Sequence, residues 1–140
     1  MSAAPQGRVS VLIADDHEMV RAGLRMIVED EDDMAVVGEA ADGGEALRLA
    51  LAERPHVVLA DLRMPPPDGI ELARLLREQA PEVRTIIVTA HEDAAIMAEA
   101  QAAGAVGSVV KRSGPELLVE AIRVVARGTV FWDAAARRMA

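Results

Sequence analysis

The chain has 140 residues, of which 51% are hydrophobic and only 1% aromatic, a net charge of −8 and no cysteine. That length suits one domain with an aliphatic core, and the acidity argues against this segment holding nucleic acid or anionic lipid by itself. Disulfides and thiolate metal sites are excluded, no apolar stretch approaches the ~18 residues of a membrane span, and Met1–Gly7 lacks a basic-then-apolar secretory pattern, so a soluble cytoplasmic domain is expected.

Met1–Gly7 is small and polar, and a disordered tail is expected there. Val9–Ala14 is a short aliphatic run of the kind a buried strand uses. Val20, Leu24, Ile27 and Val28 then share one face of a helix. The acidic stretch Glu29–Asp33 closes that helix as a solvated turn, and no functional role is expected for it. Met34–Glu39 is the second strand. Asp42-Gly43-Gly44 is a turn and helix cap, followed by the face Ala46, Leu47, Ala50 and Leu51. His56–Ala60 is the third strand, and Ile70, Ala73, Leu76 and Arg77 outline the third helix. Arg84–Thr89 is the fourth strand, followed by an alanine-rich helix over Asp93–Ala103 with Gly104 as its C-cap. Ala105–Val110 is the fifth strand. Pro115 occupies the favoured first position of a last helix, with Leu118, Ala121, Ile122 and Val125 on one face.

Strict strand–helix alternation implies an α/β domain with a parallel sheet covered on both faces. Right-handed crossovers favour the doubly wound, flavodoxin-like order 2-1-3-4-5. Strands one and three are then neighbours, and their carboxyl ends carry Asp15-Asp16 and Asp61. Ligands of such sheets bind at this switch point. Like charges about 4 Å apart repel by roughly 4 kcal/mol at an effective dielectric near 20. The cluster therefore calls for a divalent cation and a positive side chain. Lys111 is the only lysine among fifteen basic residues and ends the fifth strand. A chain this biased to arginine keeps lysine where a compact, rotatable ammonium is needed; the plain alternative is a solvated surface lysine. Thr89 ends the fourth strand, where its hydroxyl can donate to an anion or simply fill the strand.

The segments Val11–His17, Asp61-Leu62-Arg63-Met64-Pro65 with Asp68-Gly69, Thr89-Ala90 and Lys111 occur in this order. In this pattern the chain is similar to the receiver domain of two-component response regulators over about residues 8–128. Gly104-Ala105 to Lys111, with Glu116-Leu117-Leu118 and Ala121-Ile122-Arg123 to Gly128, most resembles the NarL/FixJ subfamily, whose output is a LuxR-type helix-turn-helix.

The resemblance implies that Asp61 is the phosphoacceptor, taking a phosphoryl group from a sensor histidine kinase. It implies that Mg²⁺ binds Asp16, Asp61 and the backbone carbonyl of Arg63, with Asp15 acting largely through water. Thr89 and Lys111 would hold the remaining phosphoryl oxygens, and Thr89 would move on phosphorylation and shift the following loop and helix. Catalysis would extend only to the chain's own phosphorylation and dephosphorylation. A homodimer is implied, with no membrane partner. DNA would be reached only through an output domain expected beyond residue 140, because a helix-turn-helix needs tens of residues more than remain; the other reading is a free-standing receiver. Residues 129–140 are expected to start the linker, with Ala134–Met139 able to begin a helix.

Some positions depart from the family. Ser108 replaces the aromatic often found three residues before the lysine, so activation is expected to rely on Thr89 and the backbone, with Ser108 at most a hydrogen-bonding partner. Pro66 stands where glycine is common, so Pro65-Pro66-Pro67 should be a stiff, locally different loop. Arg112 follows Lys111 where proline with a cis bond is frequent, and a trans bond is expected. Arg63 and His91 occupy positions that in the family tune phosphoryl lifetime; the plain alternative is exposed loop residues. His17 and His56 are read only as helix-start and strand-start residues. Two other readings remain. A haloacid-dehalogenase-type phosphatase would need an acid where Arg63 stands. A pseudo-receiver that never takes phosphate typically lacks one of the five pocket residues, all of which are present here. A nucleotide-binding protein is disfavoured by the lack of a phosphate-loop motif.

Overall fold

The computed structural model describes residues 7–90 and 93–132. Five parallel strands and five helices alternate: β1 (Val9–Ala14), α1 (Glu18–Glu29), β2 (Met34–Ala40), α2 (Gly43–Glu53), β3 (Val57–Asp61), α3 (Gly69–Gln79), β4 (Arg84–Thr89), α4 (Ala94–Ala103), β5 (Gly107–Val110) and α5 (Pro115–Ala126). The sheet order is β2-β1-β3-β4-β5, as expected. Among the described residues no helix is long and apolar enough to cross a membrane.

Successive side chains of a strand point to opposite faces, and the core divides accordingly. Leu12, Ala14, Val58, Ala60 and Ile87 face α2, α3 and α4, whereas Val11, Ile13, Leu59, Ile86 and Val88 face α1 and α5. Alanine carries much of the first face: Ala46, Ala50 and Ala100 are fully buried. Small side chains let these helices lie close to the sheet. The largest side chain in that cluster is Trp132, which is 8% exposed.

Aspartate starts three of the helices. Asp42, Asp68 and Asp93 accept N–H bonds from Glu45, from Glu71, and from Ala95 and Ile96. Each cap contributes about 1 kcal/mol. Asp93 thus caps α4 and is not its first helical residue. Gly104 ends α4 in the left-handed region at φ 111°, and the Arg77 guanidinium donates to the Ala102 carbonyl there (2.9 Å). A cation at a helix C-terminus is favourably placed.

The strand limits shift slightly from expectation, for local reasons. At His56, just before β3, Ser10 takes the N–H and the ring: the His56 N–H donates to Ser10 Oγ (3.0 Å), and the Ser10 N–H donates to His56 Nδ1 (2.9 Å). Asp61 joins β3 because it stays in register with Val88. Ala40 extends β2, and its carbonyl accepts the Asp15 N–H (3.0 Å). β5 opens at Gly107 instead of Ala105. Residues 129–132, at the start of the expected linker, run back along the edge of β5. Phe131 N–H donates to the Val106 carbonyl and the Phe131 carbonyl accepts from Ser108 N–H, both at 2.9 Å, forming a parallel bridge with Gly107. Residues 1–6 of the expected Met1–Gly7 tail and the expected helix start over Ala134–Met139 lie outside the described residues.

The acidic turn after α1 is not merely solvated. Arg123 of α5 donates to Asp33 (2.9 Å) and Glu31 (2.6 Å), pinning the α1–β2 turn to the last helix.

Candidate phosphoacceptor site

Sheet register brings the strand ends together. Ala14 pairs with Ala60, so Asp15 and Asp61 follow at the same level; Thr89 pairs with Val110, one residue before Lys111. Lys111 opens a 3-10 turn, Lys111–Ser113, immediately after β5. Its ammonium lies 3.1 Å from Asp15 Oδ2 and 3.4 Å from Asp61 Oδ1. One cation therefore faces two buried carboxylates, Asp15 at 1% and Asp61 at 6% exposure.

Each acid is held differently. Asp15 Oδ1 accepts the backbone N–H of His17 (2.8 Å), while Asp15 Oδ2 is buried without a hydrogen bond and faces the lysine charge alone. The Asp15 carbonyl accepts from the Arg21 guanidinium (2.7 Å). Asp16 is more exposed, and its carboxylate lies 3.1 Å from His17 Nδ1. Burial pushes the Asp61 carboxyl above the ordinary carboxylate range, and the neighbouring Asp15 charge adds to this. The Lys111 ammonium and the Arg63 backbone N–H oppose the shift without cancelling it. One ligand atom from each of Asp15, Asp16, His17 and Asp61 fits within a 4.8 Å span.

Thr89 and Ser108 are both buried near the same edge. The Ser108 N–H is held by the Phe131 carbonyl (2.9 Å). Arg63 is exposed, while His91 lies outside the described residues. Among the described residues the cis peptide bond is Pro66–Pro67, so Lys111–Arg112 is trans as expected. The proline loop leans on α2, where the Gly43 N–H donates to the Pro65 carbonyl (3.1 Å).

Sequence reasoning brought Asp15, Asp16, Asp61 and Lys111 to one place, but it missed three supporting side chains. Arg21 clamps the acidic turn from α1. Arg112 donates to the Ala90 carbonyl (3.2 Å), tying the turn after β5 to the loop after Thr89. His17, read as a plain helix-start residue, directs its ring into the carboxylates. Only His17 carried a usable signal, its adjacency to the acidic pair.

A doubly wound sheet with acids and one lysine at its switch point defines a class of phosphoryl-handling α/β domains. The chain matches the response regulator receiver domain over residues 11–123 and belongs to that family. It is 39% identical over 125 residues to the uncharacterized transcriptional regulatory protein YxjL of Bacillus subtilis, covering 89% of this chain and 57% of that one. It therefore spans little more than half the length of the curated relatives it matches. Among solved structures it is similar to a LuxR-family two-component response regulator from Aurantimonas sp. SI85-9A1 (TM-score 0.89, 38% identity, 94% of each chain). It also resembles the receiver domain of the putative response regulator NarL from Mycobacterium tuberculosis (TM-score 0.84, 36% identity, 86% of this chain and 98% of that one). These relatives are signalling proteins rather than conventional enzymes.

Proposed function

We propose that this chain is a phosphorylation-controlled switch whose phosphoacceptor is Asp61. The observation that carries the reading is the Lys111 ammonium placed between Asp61 and Asp15. A buried carboxylate with a raised proton affinity is a poor structural group but a useful nucleophile once its charge is balanced. An Asp61 carboxylate oxygen attacks phosphorus, the bond from phosphorus to the donor histidine nitrogen of a sensor kinase breaks, and the imidazole leaves. Lys111 and Thr89 hold phosphoryl oxygens. Later a water attacks phosphorus, the bond to Asp61 breaks and phosphate departs. These two steps are the only reactions the chain assists.

Mg²⁺ suits the donor set, because all three acids offer hard oxygens and Asp15 Oδ2 is buried with no hydrogen bond. Asp16, Asp61 and the Arg63 carbonyl would hold it, with Asp15 acting through water. When bound, it draws charge from the phosphoryl oxygens. The chain's own residues do the rest: they position the acceptor, screen it from bulk water and stabilise charge.

Thr89 then biases two states of the loop before α4. Ser108, buried and small, offers no aromatic relay, so the coupling runs through Thr89 and the backbone. Residues 8–128 act as the receiver in a longer cytoplasmic protein that dimerises and binds DNA through a LuxR-type output domain. Arg63 is cationic and exposed, so a phosphatase of the haloacid-dehalogenase type would lack its general acid. Incubation with acetyl phosphate and Mg²⁺, read by intact mass, tests the reading. One phosphoryl group should add to the native chain and none to Asp61→Asn; equal labelling of both would refute it.

A further inference from the structure

The chain has one phenylalanine, one tryptophan and no tyrosine, and the two aromatics are neighbours, Phe131 and Trp132. Both lie in residues 129–132, along the outer edge of β5. Gly128, at φ 98°, lets the chain reverse after α5. The Phe131 N–H then donates to the Val106 carbonyl, and the Phe131 carbonyl accepts the Ser108 N–H, both at 2.9 Å. The two aromatics part across the sheet edge. Phe131 packs on the cluster beneath α1 and α5. Trp132, 8% exposed, joins the buried cluster that holds Met97, Ala100 and Ala103 of α4. Where the two backbones meet, β5 has Gly107; a Cβ there would stand 2.5 Å from the Phe131 carbonyl oxygen. The edge is thus fitted to this segment, which covers the last strand of the sheet.

Two routes join the segment to the phosphoacceptor site. Along the sheet, Thr89 pairs with Val110 and Ile87 with Ser108, whose N–H holds Phe131. Through the helix layer, α4 shares its buried cluster with Trp132. A contact of this size can open while the domain stays folded. We propose that residues 129–132 form a strap that docks on β5 in the unphosphorylated chain and detaches when Asp61 carries a phosphoryl group. Movement of Thr89 and α4 disturbs the cluster that seats Trp132, the bonds to Val106 and Ser108 break, and the chain following Trp132 is let go. The docked strap in turn opposes phosphorylation, because coupling between two sites is reciprocal. The release rests on the phosphoacceptor reading.

The full chain with MgCl₂ and beryllium fluoride, a phosphoryl mimic, tests the strap by amide exchange at Ser108 and Phe131 and by Trp132 emission. On binding, both amides should exchange at least about fivefold faster and the emission should move to the red. Asp61→Asn should show neither change. Gly107→Ala and Trp132→Ala, which unseat the strap beforehand, should each bind beryllium fluoride at least about fivefold more tightly than the native chain. Beryllium fluoride that binds by calorimetry yet leaves both amides protected would overturn the strap and leave the phosphoacceptor reading standing. Unchanged affinity in both variants would do the same. A native chain that neither binds beryllium fluoride nor takes label from acetyl phosphate would remove the phosphoacceptor reading and the release with it.

Discussion

The guanidinium of Arg21 reaches from α1 to the backbone carbonyl of Asp15, with a donor–acceptor distance of 2.7 Å. It is braced by Glu39 at 3.6 Å, and Glu39 is itself paired with Arg25. The acidic turn of the pocket is therefore held by a clamp on the main chain of Asp15, whose carboxylate faces Lys111.

Removing that clamp should loosen the acidic turn. A hydrogen bond from a charged donor is worth about 1.5–3 kcal/mol, so Arg21→Ala should lose about 2 kcal/mol in urea unfolding. Mg²⁺ affinity should fall several-fold, and Arg21→Lys should recover part of it. An Arg21→Ala protein with native Mg²⁺ affinity would show that the turn holds itself.

Charge crowding predicts an unusual stability pattern. Asp61 is buried against Asp15, so its ionised form is disfavoured in the folded chain. Without divalent ions, Asp61→Asn should be more stable than the native chain at neutral pH. Adding Mg²⁺ should stabilise the native chain by about 1.4 kcal/mol at ten times its dissociation constant. The Asp61→Asn chain should gain less. Melting curves across a magnesium series test both statements, and a native chain indifferent to Mg²⁺ would contradict them.

The Arg123 clamp predicts acid sensitivity. Its hydrogen bonds hold the Asp33 carboxyl below the ordinary range. A lowered folded-state value contributes stability that is present above the unfolded value, about 3.9, and is lost as pH falls through the folded one. The native chain and Arg123→Ala should therefore differ in midpoint at neutral pH and converge as pH falls through the folded value of Asp33. The difference should be small and weaken with salt, since the pair is solvated. A gap that persisted into strong acid would assign Arg123 a packing role instead.

Trp132 gives the docked segment an optical signal. Trp132→Ala should cost about 3 kcal/mol, as for other buried aromatics. A Cβ at Gly107 would stand 2.5 Å from the Phe131 carbonyl oxygen. Gly107→Ala should therefore displace the segment and shift the emission of the chain's single tryptophan to the red while far-ultraviolet circular dichroism stays native. Unshifted emission would mean that the strand yields and the segment does not.

Much of this was legible in the chain itself. Aliphatic runs ending in Asp15-Asp16, Asp61, Thr89 and Lys111 state where strands stop and what stands at their ends, because burial and periodicity are local properties of sequence. The order 2-1-3-4-5 follows from alternation and crossover handedness, which are general to such chains. Tertiary structure alone decided the rest. Arg123 meets Glu31 across 92 positions, Arg21 finds a carbonyl that has no sequence signature, and Trp132 fills a space left by alanines on other helices. His17 turns its ring into the pocket by a backbone bond two residues back. Such contacts depend on register and on which faces meet once the sheet has closed, and no local pattern encodes them.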